Sequence, residues 1–180
     1  KKLEELLATG DSEANDEAIV TAAAEVANAA NSTEDIVLAS KSGSLEALVA
    51  ACAALKQQPP LVVKLLEHVN TILGANATRE LFIKAGGVHV VCGLLKEHPQ
   101  ELDLQQIALS TVAAACTKHE NNKGAFMGAN FAQLVLAALT AHGSNPAALK
   151  AACKAIVAVT KNDGVVTVSQ VGSFFFSPYL

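Results

Sequence analysis

The sequence predicts an all-α protein, a right-handed α-solenoid of short three-helix units stacked along one axis. Three observations lead there. Residue types recur at a spacing near 43. Gly, Asn and Pro stand at matching points within each recurrence, where helices stop or start. The apolar residues between them are small: 51% of the 180 residues are hydrophobic, yet only 4% are aromatic and none is Trp. A core rich in Ala and Leu suits closely packed helices better than a sheet of β-branched and aromatic side chains.

The recurrence is legible residue by residue. Thr117-Lys118 returns as Thr160-Lys161, and Leu61 and Val69 return as Leu104 and Val112, all 43 positions on. Phe82, Ala85 and His98 return as Phe126, Ala129 and His142 at 44, one residue of loop drift away. Within each period a short helix ends at Gly or Asn, a second helix follows at once, and a longer third closes the unit. A partial repeat over 1–31 supplies a second helix at 3–9 and a third at 16–30, so the start at Lys1 reads as a fragment boundary. The repeat over 33–74 takes helices at 33–39, 45–56 and 61–73, with Pro59-Pro60 at its second junction. The repeat over 78–118 takes 80–85, 88–97 and 102–118, and that over 122–161 takes 123–129, 131–142 and 146–161. Pro146 stands at a first helical turn, where its missing N–H costs nothing. Small residues of the third helices (Ala108, Ala113, Cys116 and Ala152) are expected to face neighbouring helices.

Residues 165–172 read as the start of a further repeat, although their Val and Thr content favours a strand. Residues 173–180 form a hydrophobic tail holding half of the six Phe and the only Tyr. This tail is expected to cover the exposed end of the last unit, to lie disordered, or to dock on a partner.

Specific stretches resemble the armadillo repeat. They are Ala108-Leu109-Ser110-Thr111-Val112-Ala113 in a third helix, Glu120-Asn121-Asn122-Lys123 after it, and the turns at Ala85-Gly86-Gly87 and Ala129-Asn130. The likeness runs over 11–172. A narrower likeness within the family is carried by Cys116-Thr117-Lys118-His119, His142-Gly143, Ala152-Cys153-Lys154 and Thr160-Lys161-Asn162-Asp163. The resemblance implies a 1–172 armadillo-repeat domain whose third helices line a concave face and bind a partner there. Its function would be that of a protein–protein interaction scaffold or adaptor. The alternative is a structural interior fragment of a longer solenoid, with its binding site in other repeats.

Aligning third helices on Val26, Val69, Val112 and Ala155 places Glu25, His68, Thr111 and Lys154 at one ladder position. Thr21, Lys64, Ile107 and Lys150 lie four residues earlier, one turn away on the same face. The family often has Asn at the first position and Trp at the second. Neither is present here, which argues against peptide capture in the nuclear-import manner. What remains is a candidate concave ladder graded from Glu25, through Lys64 and His68, to Lys150 and Lys154. Lys96 and Lys161 are placed outside it.

Other function classes find little support. The net charge is −4, so no global positive field draws the chain to nucleic acid or an anionic membrane, and no apolar run reaches bilayer length. Cys52, Cys92, Cys116 and Cys153 lack paired spacing and read as free thiols, giving a cytoplasmic or nuclear address as the expectation. The five His are dispersed, and His98 and His142 recur at helix ends, where they complement the dipole. Cys116 and His119 form a lone pair, short of the four ligands zinc would want. Gly86-Gly87 sits between two helices and lacks the Lys of a phosphate loop. The expectation is a non-enzymatic protein with no cofactor, no metal and no catalytic residue. Its partner would be a protein or peptide, and it would be a monomer unless the 173–180 tail drives self-association.

Overall fold

Left-handed residues punctuate the chain at the repeat spacing. Gly43 has φ 81°, Gly86 φ 77° and Asn130 φ 60°, and each immediately precedes a helix. Glycine occupies that region without strain and Asn does so more readily than most residues. The turn lets a second helix begin within two residues of the first helix's end.

The computed structural model describes residues 5, 6, 8, 13–28 and 43–161. Among the described residues lie nine helices and no strand: α1 Glu13–Asn28, α2 Ser44–Ala54, α3 Pro59–Ile72, α4 Asn76–Lys84, α5 Gly87–Glu97, α6 Leu102–Cys116, α7 Glu120–Gly128, α8 Phe131–His142 and α9 Pro146–Thr160. The all-α expectation holds there. The helix expected at 33–39 and the stretches 165–172 and 173–180 lie outside the described residues. Of 3–9 only 5, 6 and 8 are described, and all three are helical.

Equivalent helices stack on one another. The long helices α1, α3, α6 and α9 pack side by side in chain order, α2, α5 and α8 form a second row, and α4 meets α7. The chain bends by 73° between α7 and α8, at Ala129-Asn130. Along the long-helix row Val69, Val112 and Ala155 are each 0% exposed, so one position recurs in the core at 43-residue intervals. Phe82 and Phe126, 44 apart, are the bulkiest fully buried side chains, each worth roughly 1.5–3 kcal/mol of burial. The space beside them is filled differently in the two units. A Cβ on Gly87 would run into the Phe82 ring, whereas its counterpart Phe131 packs edge-on against Phe126 at 6.3 Å.

The short helices begin earlier than expected, at Asn76 and Glu120 rather than at 80 and 123. Their polar first turns read as loop in the sequence, but Thr78, Arg79, Asn122 and Lys123 in them are buried, and Arg79, Asn122 and Lys123 tie the units together. Asn122 is fully buried and its amide donates across units to the Ala115 carbonyl at 2.7 Å and to the Arg79 carbonyl at 3.0 Å. Arg79 Nε donates to Leu73 O at the end of α3 and to Ala114 O of the following long helix. Lys123 Nζ repeats that reach, donating to Lys161 O at 2.5 Å, and is also paired with Glu120. These cations meet carbonyls at helix C-terminal ends, where the partial charge is negative. Burial pulls the Arg79 guanidinium below its ordinary pKa. His142 adds a further link, its Nε2–H donating to Pro99 O of the preceding unit at 2.9 Å. Ala108, Cys116 and Ala152 are buried as expected, while Ala113 is half-buried.

Candidate functional site

A groove of about 630 Å³ lies between α6 and α9. Its floor comes from small or apolar residues, Ala113 and Ala114 on α6 and Val157 and Ala158 on α9. Small side chains on two adjacent long helices leave the space open. Val157 is 58% exposed there, an apolar surface without a cover among the described residues. Lys118, Lys150, Lys154 and Lys161 line the same groove, together with Ser110, Thr117 and Cys153, and no carboxylate among the described residues does.

Helix geometry explains the convergence of charge. Lys150 and Lys154 are one turn apart on α9, so their ammonium groups project from one face. Lys118 and Lys161 follow the ends of α6 and α9 at equivalent places in the repeat. Lys118 adopts φ 53°, a left-handed residue that stops α6 and turns the chain away. Like charges at i,i+4 cost a helix about 0.2–0.5 kcal/mol, a small penalty that an anionic ligand would reverse.

The candidate ladder is only partly brought together. Lys150 and Lys154 both line the groove. Thr111, expected to be available for contact, is 0% exposed, and its hydroxyl donates to the Ile107 carbonyl at 2.9 Å. Ile107 itself is half-buried against the core. Lys64 and His68 project from α3, Lys64 exposed and His68 half-buried, and neither lines the groove. Burial lowers the His68 imidazole below its usual pKa, with the Glu67 carboxylate pulling the other way. Thr21 and Glu25 are exposed on α1, and the Thr21 hydroxyl is turned back onto the Glu17 carbonyl.

One placement needs correction. Lys161, expected outside the groove, lines it, because it follows directly on the last turn of α9. The signal was present, since Thr117-Lys118 and Thr160-Lys161 recur together, but it served as a repeat marker rather than a guide to position. Cys153 and Val157 were missed because an exposed apolar floor leaves no trace in periodicity.

Residues that could have served chemistry are occupied structurally. His119 Nδ1 accepts from the Asn122 backbone N–H and caps α7. Burial pushes the thiols of Cys52 and Cys116 up to about 12 and that of Cys92 to about 11, which keeps them as unreactive thiols. No group of three or more His, Cys, Asp or Glu that could hold a metal ion occurs among the described residues. No single helix among them is long and apolar enough to cross a membrane.

Comparison with known proteins finds a partial likeness. The chain is 27% identical over 101 residues to human armadillo repeat-containing protein 6, a stretch covering 56% of this chain and 20% of that protein. No family model matches the chain, and no solved structure matches it.

Proposed function

We propose that the chain is an armadillo-type right-handed α-solenoid that works as a non-enzymatic protein-binding scaffold. The α6–α9 groove would hold an acidic segment of a protein partner that also carries apolar side chains. The observation that carries this reading is the groove itself: Lys118, Lys150 and Lys154 around an apolar floor, with no carboxylate among the described residues lining it, in a chain whose net charge is −4. Basic residues gathered in a concavity against the overall charge focus the local field on an acidic ligand. Exposed Val157 and the small floor residues accept aliphatic anchors between the charges. The recurrence of left-handed turns, the stacked rows and the likeness to an armadillo protein support the family assignment. The three buried, free thiols suit a cytoplasmic or nuclear setting.

The test uses a fluorescein-labelled Glu-rich peptide with Leu at every third or fourth position, read by anisotropy. Binding is expected to weaken with added salt, as charge interactions are screened beyond about 8–10 Å at physiological ionic strength. Lys150→Glu with Lys154→Glu is expected to remove it, while Lys84→Glu with Lys96→Glu, exposed positions outside the groove, leaves it unchanged. Equal losses in both double variants would mean non-specific attraction and would refute the groove as the site.

A further inference from the structure

The residues that line the groove recur at helical spacing on both of its walls. Ser110, Ala113, Ala114 and Thr117 stand at i, i+3, i+4 and i+7 along α6 and its C-cap. Lys150, Cys153, Lys154, Val157 and Ala158 stand at i, i+3, i+4, i+7 and i+8 along α9. Each wall is thus one lengthwise face of a helix, and the groove follows both helices for about two turns. Small side chains dominate these faces. A third helix can approach both closely, since the distance between packed helices is set by the side chains at their contact.

The walls are poorly made for an extended segment. Each residue of such a segment brings a backbone N–H and C=O that need partners. No Asn, Gln or Trp is among the described residues lining the groove. Its hydroxyls are already turned onto the backbone, Ser110 donating to Gln106 O and Thr117 to Ala113 O. Carbonyls that α6 leaves over at its end are taken from inside the stack, Ala114 O by Arg79 and Ala115 O by Asn122. A helix satisfies its own backbone and asks the walls only for side-chain contacts.

The charges fit a helix as well. Lys150 and Lys154 are exposed and one turn apart, roughly 6 Å along the axis. Lys118 is exposed and holds the repeat position of Lys161, which puts it about two turns beyond Lys154 with Val157 between. Carboxylates at i, i+4 and i+11 with an aliphatic residue at i+7 fall within a sector of about 60° on a helix surface, in the order that these wall residues present.

We propose that the partner segment binds between α6 and α9 as an α-helix, carrying carboxylates at i, i+4 and i+11 and an aliphatic side chain at i+7. The inference rests on the reading of this groove as a site for an acidic segment, and adds the segment's conformation and the order of its side chains.

The test compares two labelled peptides of one composition by anisotropy: one in that register on an Ala and Gln background, the other with its Glu and Leu rearranged to alternate. The register peptide is expected to bind about ten-fold more tightly, because its contacts are made without leaving backbone groups unpaired. Far-UV circular dichroism of the mixture is expected to exceed the sum of its parts as the peptide coils. A Pro at i+9, on the side away from the walls, is expected to weaken binding about ten-fold or more by breaking the helix. In the Lys150→Glu, Lys154→Glu variant the difference between the peptides is expected to vanish. Equal or tighter binding of the alternating peptide, or a proline peptide that binds as well as its parent, would overturn the helical mode. Loss of that binding on charge reversal would still leave the groove as the site of an acidic segment, so the two proposals fail separately. A register preference that survives charge reversal would place the helix elsewhere and overturn the inference. If neither peptide binds, the groove reading falls and the helical mode falls with it.

Discussion

Asn122→Ala removes one small side chain and two hydrogen bonds between units. The magnitude follows from what the amide satisfies. Ala115 O lies in the last turn of α6 and is left over by the helix, because the His119 N–H that would have reached it donates to Cys116 O instead. Asn122 supplies the missing donor at 2.7 Å and a second bond to Arg79 O at 3.0 Å, all at a fully buried site. A net hydrogen bond is worth about 1 kcal/mol, and a buried carbonyl left without a donor costs roughly 1–3 kcal/mol. The total is about 2–4 kcal/mol, a fall in melting temperature of roughly 5–15 °C for a chain of this size. Urea unfolding followed by far-UV circular dichroism reads it directly. Asn122→Asp, which turns an acceptor toward two acceptors, is expected to cost more. Asn121→Ala, exposed on the same helix, is expected to stay within about 0.5 kcal/mol of the unaltered chain. If Asn122→Ala proves no worse than Asn121→Ala, the cross-unit amide does not hold the stack together.

Other expectations follow from the same packing. Ala108→Leu is expected to lower stability by about 1–3 kcal/mol through overpacking, while Ala113→Leu, on the groove floor, is expected to spare stability and weaken peptide binding. Denaturation curves and anisotropy separate the two. A thiol reagent is expected to label Cys153, which is exposed, and to spare Cys52, Cys92 and Cys116 until the chain unfolds, as peptide mapping would show. The same burial gives a pH dependence. The unfolded thiols titrate near 9 and the folded ones at about 11–12, so the folded state retains protons that the unfolded state loses. Stability is then complete below pH 9 and falls between pH 9 and 12, at up to about 1.4 kcal/mol per pH unit for each thiol, measurable as a falling urea midpoint.

Repetition made the helices readable, because each unit restates the same stops. Gly86 and Asn130 marked turns between helices, Pro146 marked a helix start, and α8 spans the expected residues, while α3 begins at Pro59 rather than at 61. The short helices were read late at their starts because Thr78, Arg79 and Asn122 look like loop residues. Only the packed structure shows that their polar groups are spent on the carbonyls of neighbouring helix ends. The ladder was legible as a face but not as a site. Thr111 shares its repeat position with Lys154, yet one is fully buried and the other exposed, a difference that the shared register does not show. Lys118 and Lys161 were visible as a recurring pair, while their convergence with Lys150 and Lys154 needed the packing of α6 against α9.

Backbone amide shifts mapped by NMR during titration with the Glu/Leu peptide show whether a partner segment binds between α6 and α9, as proposed. Saturable shifts are expected to concentrate at Ser110, Ala114, Thr117, Lys150, Cys153, Lys154 and Val157 and to be lost in the Lys150→Glu, Lys154→Glu variant. Shifts confined to the opposite row, around His89 and Gln133, or the same shifts in the charge-reversed variant, would contradict the proposal.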